Sequence, residues 1–193
     1  MNKFIEILND ICRANIPMSQ GILDVIKKQE FWKQFCEEQN GNFKLKRTHD
    51  KVYNKIEMSI QYNNSTLHFN ESDRHPLKID CDIKDLNSFT FQITSENLVD
   101  KIFKFLTNSK IKIGDKEFDN LYLIETNNKA KLLKLLSNIR LRRLLVDYGI
   151  SNYQIRQHKR QHKLFLLGGR QINTKEQLND IFEILKITID NIK

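Results

Sequence analysis

The sequence predicts an α+β fold: an N-terminal helix pair, an antiparallel sheet of about four to five strands with a helix after it, then a strand, a helix, a hairpin and a last helix. Three observations carry this prediction. From Phe43 to Thr94 apolar residues alternate with polar ones at period two, the mark of half-buried strands. On either side they recur at the three- and four-residue spacing of a helix. Only six Gly and two Pro interrupt the 193 residues, and no Pro/Gly/Ser linker or low-complexity tract divides them. One α+β domain over residues 41–193, with a helical appendage over residues 1–40, is therefore expected.

The elements follow in order. Phe4, Ile5, Leu8, Ile11 and Cys12 fall at helical spacing up to Pro17, whose missing amide breaks a helix. A second helix is predicted from near Ser19, with Ile22, Leu23, Val25, Ile26, Trp32, Phe35 and Cys36 as its apolar stripe and Asn40-Gly41 as a left-handed terminator. A meander of four or five strands comes next. Its first turn is marked by Asn63-Asn64-Ser65, because Asn tolerates positive φ, and later ones by Asp73-Arg74-His75-Pro76 and Asp85-Leu86-Asn87-Ser88. Asn97 to Asn108 returns to helical spacing. Ile111 to Ile124 reads as strand, Gly-Asp turn, strand, and Asn128 to Tyr148 as one long Leu-rich helix stopped by Gly149. Tyr153 to Leu167 is predicted as a hairpin. Thr174-Lys175-Glu176-Gln177 is a capping box for the last helix, which buries Leu178, Ile181, Phe182, Leu185 and Ile189.

Charge is the most uneven property of the chain. Lys129 to Lys163 holds ten Lys/Arg against one acid, Asp147, a net +9 that exceeds the +8 of the whole protein; the other 158 residues are close to balanced. A localised excess of this kind points to an anionic partner. The candidate binding residues are Lys129, Arg140 and Arg143 on the predicted helix and Arg156, Lys159, Arg160 and Lys163 on the hairpin. Tyr148 and Tyr153 bracket the connection as stacking or hot-spot groups. The competing reading makes part of this charge an ordinary solvated helix face, with Lys131, Lys134 and Arg142 spread along another flank.

Other chemistry is sparsely supported. Cys12, Cys36 and Cys81 are odd in number, widely spaced and set among apolar neighbours, so they read as reduced core thiols. Carboxylates at 115, 117 and 119 resemble a cation loop but lack its alternating Asp/Asn ligands and terminal Glu; Asp119 as a cap and Phe118 as a core residue is the plainer reading. His158 and His162 have ligand spacing only on a helix, and the surrounding cations oppose a metal, so exposed histidines in a basic hairpin are expected. No Gly-x-Ser-x-Gly elbow or phosphate-cradling loop occurs. An enzyme would need His49, His68 or His75 to meet convergent polar groups in a pocket. No catalytic, metal or cofactor site is assigned.

The block Ile113-Gly114-Asp115-Lys116-Glu117-Phe118-Asp119, followed by a short strand, an Asn-rich cap and an arginine-bearing Leu-rich helix, resembles one found in bacterial families of domains of unknown function. Phe31-Trp32-Lys33-Gln34-Phe35 before a meander, and Gly168-Gly169 before a C-terminal helix, extend the resemblance over residues 30–193. It implies little chemistry, because none of these motif residues has an assigned catalytic role there. Members are often tethered by an N-terminal membrane segment, where this chain has two amphipathic helices.

No apolar run approaches the roughly 20 residues that span a bilayer, and Glu6, Asn9 and Asp10 follow the N-terminus where a secretory signal would be apolar, so a cytoplasmic protein is expected. The sequence thus points to a non-catalytic interaction protein that binds a partner's acidic face through the basic helix and hairpin. The alternative is nucleic-acid binding through the same patch. No helix-turn-helix, zinc-finger or RNP pattern is present, so such contacts would be backbone-directed and salt-sensitive.

Overall fold

The computed structural model describes residues 25–47, 54–83, 88–95, 111–158 and 161–192. The helices predicted before residue 25 and at Asn97 to Asn108, with Cys12, His49 and most of the turn at Asp85, lie outside these residues. The fold is α+β. In chain order the elements are α1 (Val25–Glu38), β1 (Asn42–Arg47), β2 (Asn54–Tyr62), β3 (Ser65–Ser72), β4 (Lys78–Ile83) and β5 (Phe91–Ser95). They continue with α2 (Lys116–Leu121), β6 (Tyr122–Thr126), α3 (Lys129–Leu136), α4 (Ile139–Asp147), β7 (Asn152–His158), β8 (Gln161–Leu167) and α5 (Lys175–Asn191).

All eight described strands join one antiparallel sheet in the order β1-β2-β3-β4-β8-β7-β5-β6. The sheet is larger than the four to five strands expected, because β6 and the late hairpin add to the meander instead of forming a separate layer. The hairpin is inserted in its middle. β8 pairs with β4 on one side and β7 on the other, so it joins the meander to β5 and β6. Asn63 and Asn64 both take positive φ, 45° and 63°, which lets two residues reverse the chain between β2 and β3.

Alternation along the strands makes the sheet two-faced. On one face Ile56, Met58 and Ile60 of β2, Leu67 and Phe69 of β3, and Leu164 and Leu166 of β8 are buried. α1, α4 and α5 cover this side: Trp32 and Phe35 of α1 and Phe182 of α5 pack on Phe69, and the Tyr122 hydroxyl of β6 donates to the Leu145 carbonyl of α4 at 2.6 Å. α2 and α3 pack beside α4. The opposite face carries polar residues and no described helix.

Phe69 is the hub of the covered side, with ring centroids 6.5 Å from Trp32, 6.4 Å from Phe35 and 6.4 Å from Phe182. α1 is thereby built into the same core as the sheet. A buried ion pair fixes it further: Lys28 Nζ donates to Glu71 Oε1 at 2.9 Å. α1 ends where Asn40 takes φ 51°, and Gly41 N–H returns to the Cys36 carbonyl at 2.8 Å.

Two stretches depart from the expected elements. Ile111 to Ile124 was expected as two strands; its first half is irregular and Lys116–Leu121 is the short helix α2. Asp115 caps that helix by accepting the Phe118 N–H at 3.2 Å, and Asp119 accepts the Ile113 and Gly114 N–H groups at 2.9 and 3.1 Å, which pulls the preceding chain away from strand pairing. Phe118 is fully buried. The predicted long helix is split into α3 and α4. Asn138 leaves helical geometry and its side chain accepts the Leu141 N–H at 3.0 Å, starting a new helix. Thr174 caps the last helix as predicted, accepting from Gln177 N at 3.3 Å, while the Gln177 side chain reaches back one residue beyond the cap and accepts from Asn173 N at 2.7 Å.

Phe69→Ala removes the hub and is expected to cost about 3–5 kcal/mol, read as a lower midpoint in equilibrium urea unfolding. Burial raises the Glu71 carboxyl above the usual carboxylate range, against the opposing pull of the Lys28 ammonium. A folded-state pKa above the unfolded one favours folding at low pH, and that contribution declines as pH climbs from the ordinary carboxylate value through the raised one. Stability of the wild type relative to Glu71→Gln should therefore fall as pH rises above the ordinary carboxylate range of about 4, measured by urea unfolding at each pH.

Candidate functional site

The sequence-predicted patch divides between two sides of the molecule. Lys129 opens α3, where Asn128 caps the helix by accepting the Lys131 N–H at 3.0 Å, and Arg140 and Arg143 sit on α4. These belong to the helical side. Arg156 of β7 and Lys163 of β8 are cross-strand partners whose neighbours along each strand, Ile155 and Leu164, are buried, so both project from the uncovered face. Among the described residues, helix and hairpin cations therefore lie on different sides of the sheet. Lys159 and Arg160 lie outside the described residues.

Internal pairing then removes several cations from the free set. Arg140 bridges α4 to α5, with Nη2 2.5 Å from Asp180 Oδ1 and 3.2 Å from Glu183 Oε2. Arg142 donates to Asp115 Oδ2 at 3.1 Å and to the Leu136 carbonyl, tying α4 to α2 and to the end of α3. Lys163 lies 3.2 Å from Asp80 and 3.8 Å from Asp82 on β4. Lys131 sits over the Phe89 ring at 5.1 Å, and Arg156 over Phe165 at 6.0 Å. Lys129, Lys134 and Arg143 are exposed, and no described acid pairs with them. Beside Arg143, one helical turn back, Ile139 is 57% exposed, the highest value among the described large apolar residues.

The tyrosines are structural. Tyr153 is fully buried on the covered face, where its hydroxyl meets the Thr188 hydroxyl of α5 and burial raises its pKa far above the ordinary range. It offers no face for stacking. Tyr148 donates to Asp180 Oδ2 at 2.6 Å, beside the Arg140 bridge. His162, expected to be exposed, is buried because it shares the covered face with Leu164 and Leu166. His158 pairs with Gln161 and His162 with Gln157 in the hairpin register, so helical ligand spacing does not apply. Cys36 and Cys81 are free, buried thiols, and burial pushes Cys81 up to about 11. Among the described residues no group of three or more His, Cys, Asp or Glu is arranged to hold a metal.

Sequence reasoning did not single out the uncovered sheet face. It contains a hollow of about 540 Å³ lined by Asn42, Lys44, Glu57, Ser59, His68, Asn70 and Asp80. Ser59, His68 and Asp80 are successive cross-strand partners on β2, β3 and β4. They form no relay: no hydrogen bond joins Ser59 to His68 or His68 to Asp80, and Asp80 is held by Lys163. Period-two alternation marks these positions as outward, but their alignment depends on register.

No family model matches the chain, and no curated protein is similar to it. Among solved structures, the crystal structure of the mycobacterial trehalose monomycolate transport factor A, TtfA, is similar with a TM-score of 0.51 over 85% of this chain and 93% of that one. At 8% sequence identity the likeness is one of fold alone.

The Phe118 backbone N–H, joined by the Arg142 guanidinium, holds the Asp115 carboxyl below the usual range. In Arg142→Leu, Asp115 should titrate at higher pH, though still below an unperturbed Asp because the Phe118 bond remains; carboxyl-detected NMR titration measures the shift.

Proposed function

We propose that this chain is a non-catalytic interaction protein that engages the acidic face of a protein partner with its helical side. The observation that supports this is the sorting of the cations on α3 and α4. Arg140 and Arg142 are used to hold helices together, while Lys129, Lys134 and Arg143 keep unpaired charge at the surface, Arg143 one helical turn from exposed Ile139. An apolar anchor next to an arginine is the composition of an interface hot spot: the apolar group gains from leaving water, and the guanidinium selects a carboxylate geometry. The hairpin cations Arg156 and Lys163 belong to the other face and are left out of this surface. The free Cys36 and Cys81 thiols support a reducing, cytoplasmic setting.

The test is affinity capture from the native cell with wild type, Lys134→Glu/Arg143→Glu and Ile139→Asp, each checked for a native fold by circular dichroism. The expected result is an acidic protein recovered by wild type and lost by both variants. Recovery of nucleic acid instead, with affinity falling by about 0.9 log unit per phosphate contact for each log unit of salt, would replace this reading with the nucleic-acid one. An identical set of proteins from all three forms would remove the helical side as the site.

A further inference from the structure

We propose that the uncovered sheet face is a second, separate binding site, and that its occupant is a single-stranded nucleic acid crossing the strands from Lys44 to Arg156 with a base stacked on Phe165. Charge supplies the first argument. Lys44 of β1, Lys78 of β4 and Arg156 of β7 are exposed on this face and have no acidic partner among the described residues. The acids beside them are already engaged. Glu57 is held by Lys46 at 2.6 Å and Lys55 at 2.8 Å, and Lys163 lies 3.2 Å from Asp80 and 3.8 Å from Asp82. Glu125 stands apart on β6, the strand at the far margin of the sheet. In all, the described strands present six cations and four acids on this side, and the three cations without an acid make it a surface for an anion.

Register decides between a small anion and a polymer. Lys44, Glu57, Asn70 and Lys78 are successive cross-strand partners on β1 to β4. On β8, Phe165 is opposite Asp80 of β4 and Gln154 of β7, so Lys78 and Arg156 lie on opposite diagonals of its ring. Lys44 and Lys78 are three strands apart and Lys78 and Arg156 two, roughly 14 and 10 Å across the sheet at about 4.8 Å per strand. A single phosphate or carboxylate cannot reach all three cations. A polyanion laid across the strands can.

The groups between the cations decide which polyanion. Phe165 is half-buried, with Lys78 Nζ 5.6 Å and Arg156 Cζ 6.0 Å from its ring centroid, so a base stacked there has a cation for the adjoining phosphate on either side. A hollow of about 540 Å³ that includes Lys44, His68 and Asn70 lies on one side of the ring, and one of about 440 Å³ that includes Gln92, Gln154 and Arg156 on the other. Both are of a size for small planar groups. The side chains of Ser59, His68 and Asn70 have no hydrogen-bond partner among the described residues, and such groups donate and accept as base edges do. An acidic peptide would leave the ring and these groups unused. A duplex keeps its bases stacked inside, away from Phe165.

The experiment is fluorescence anisotropy of the full chain with a labelled mixed-sequence single-stranded DNA over a series of salt concentrations, with the matching duplex and polyglutamate as competitors. Lys78→Ala/Arg156→Ala, Phe165→Leu and Arg143→Ala accompany the wild type, each checked for a native fold by circular dichroism. The single strand should bind more tightly than either competitor, with log affinity against log salt falling at a slope of roughly −2, from three phosphate contacts at about 0.7 each. Lys78→Ala/Arg156→Ala should reduce that slope to about −0.7. Phe165→Leu keeps an apolar side chain but no stacking face, and should cost about tenfold in affinity with the slope unchanged. Arg143→Ala should bind as the wild type does, which separates this site from the helical one. No binding at low salt, a duplex or polyglutamate that competes as well as the single strand, a slope unchanged by Lys78→Ala/Arg156→Ala, full affinity in Phe165→Leu, or binding lost in Arg143→Ala would each overturn the proposal.

Discussion

The structure depends on Phe69. Its ring is the point at which the sheet, the helix that precedes it and the helix that ends the described chain are in contact at once, through Phe35 and Trp32 on one side and Phe182 on the other. Phe35 and Phe182 also meet each other at 5.9 Å, and Phe182 meets Tyr62 at 5.8 Å, so edge-to-face contacts link elements from opposite ends of the sequence. With both helices fixed to one face by aromatic packing, no described helix covers the other. The polar hollows on that face follow from this choice of side.

A second level of organisation is electrostatic and just as asymmetric. In the helical layer, Arg140 and Arg142 act as cross-links, one to α5 and one to the Asp115 cap of α2, and Tyr148 shares Asp180 with Arg140. On the sheet, Lys163 neutralises two aspartates of the neighbouring strand. A segment that looks like a uniform basic stretch in one dimension is in three dimensions a set of cations with different tasks.

Where the sequence was readable, local chemistry alone set the outcome. The Asn63-Asn64 turn, the Asn40 terminator and the Thr174 cap use contacts within a few residues, and the strands announce themselves because burial on one face forces period-two alternation. The failures share a different cause. Lys116–Leu121 is helical because two aspartate side chains satisfy nearby amides, an outcome that a Gly-Asp turn signal does not distinguish from a hairpin. The strand total depended on whether the late hairpin would find β4, a pairing across some eighty residues. The candidate patch was only partly legible for the same reason: the carboxylate partners of Arg140 and Arg142 lie 27 to 43 residues away in sequence, and the alignment of Ser59, His68 and Asp80 exists only once register is fixed.

The place of β8 has a consequence for how the chain must be made. β4 leaves the ribosome long before Gln161–Leu167, the strand that covers it, and until then its hydrogen-bonding edge is open beside the already complementary meander β1 to β4. The hub Phe69 waits even longer for Phe182. Folding is thus gated by the last quarter of the chain: a nascent or truncated product ending before residue 161 holds an unfinished sheet and a half-built aromatic cluster, the state in which edge pairing between molecules competes with completion of the fold.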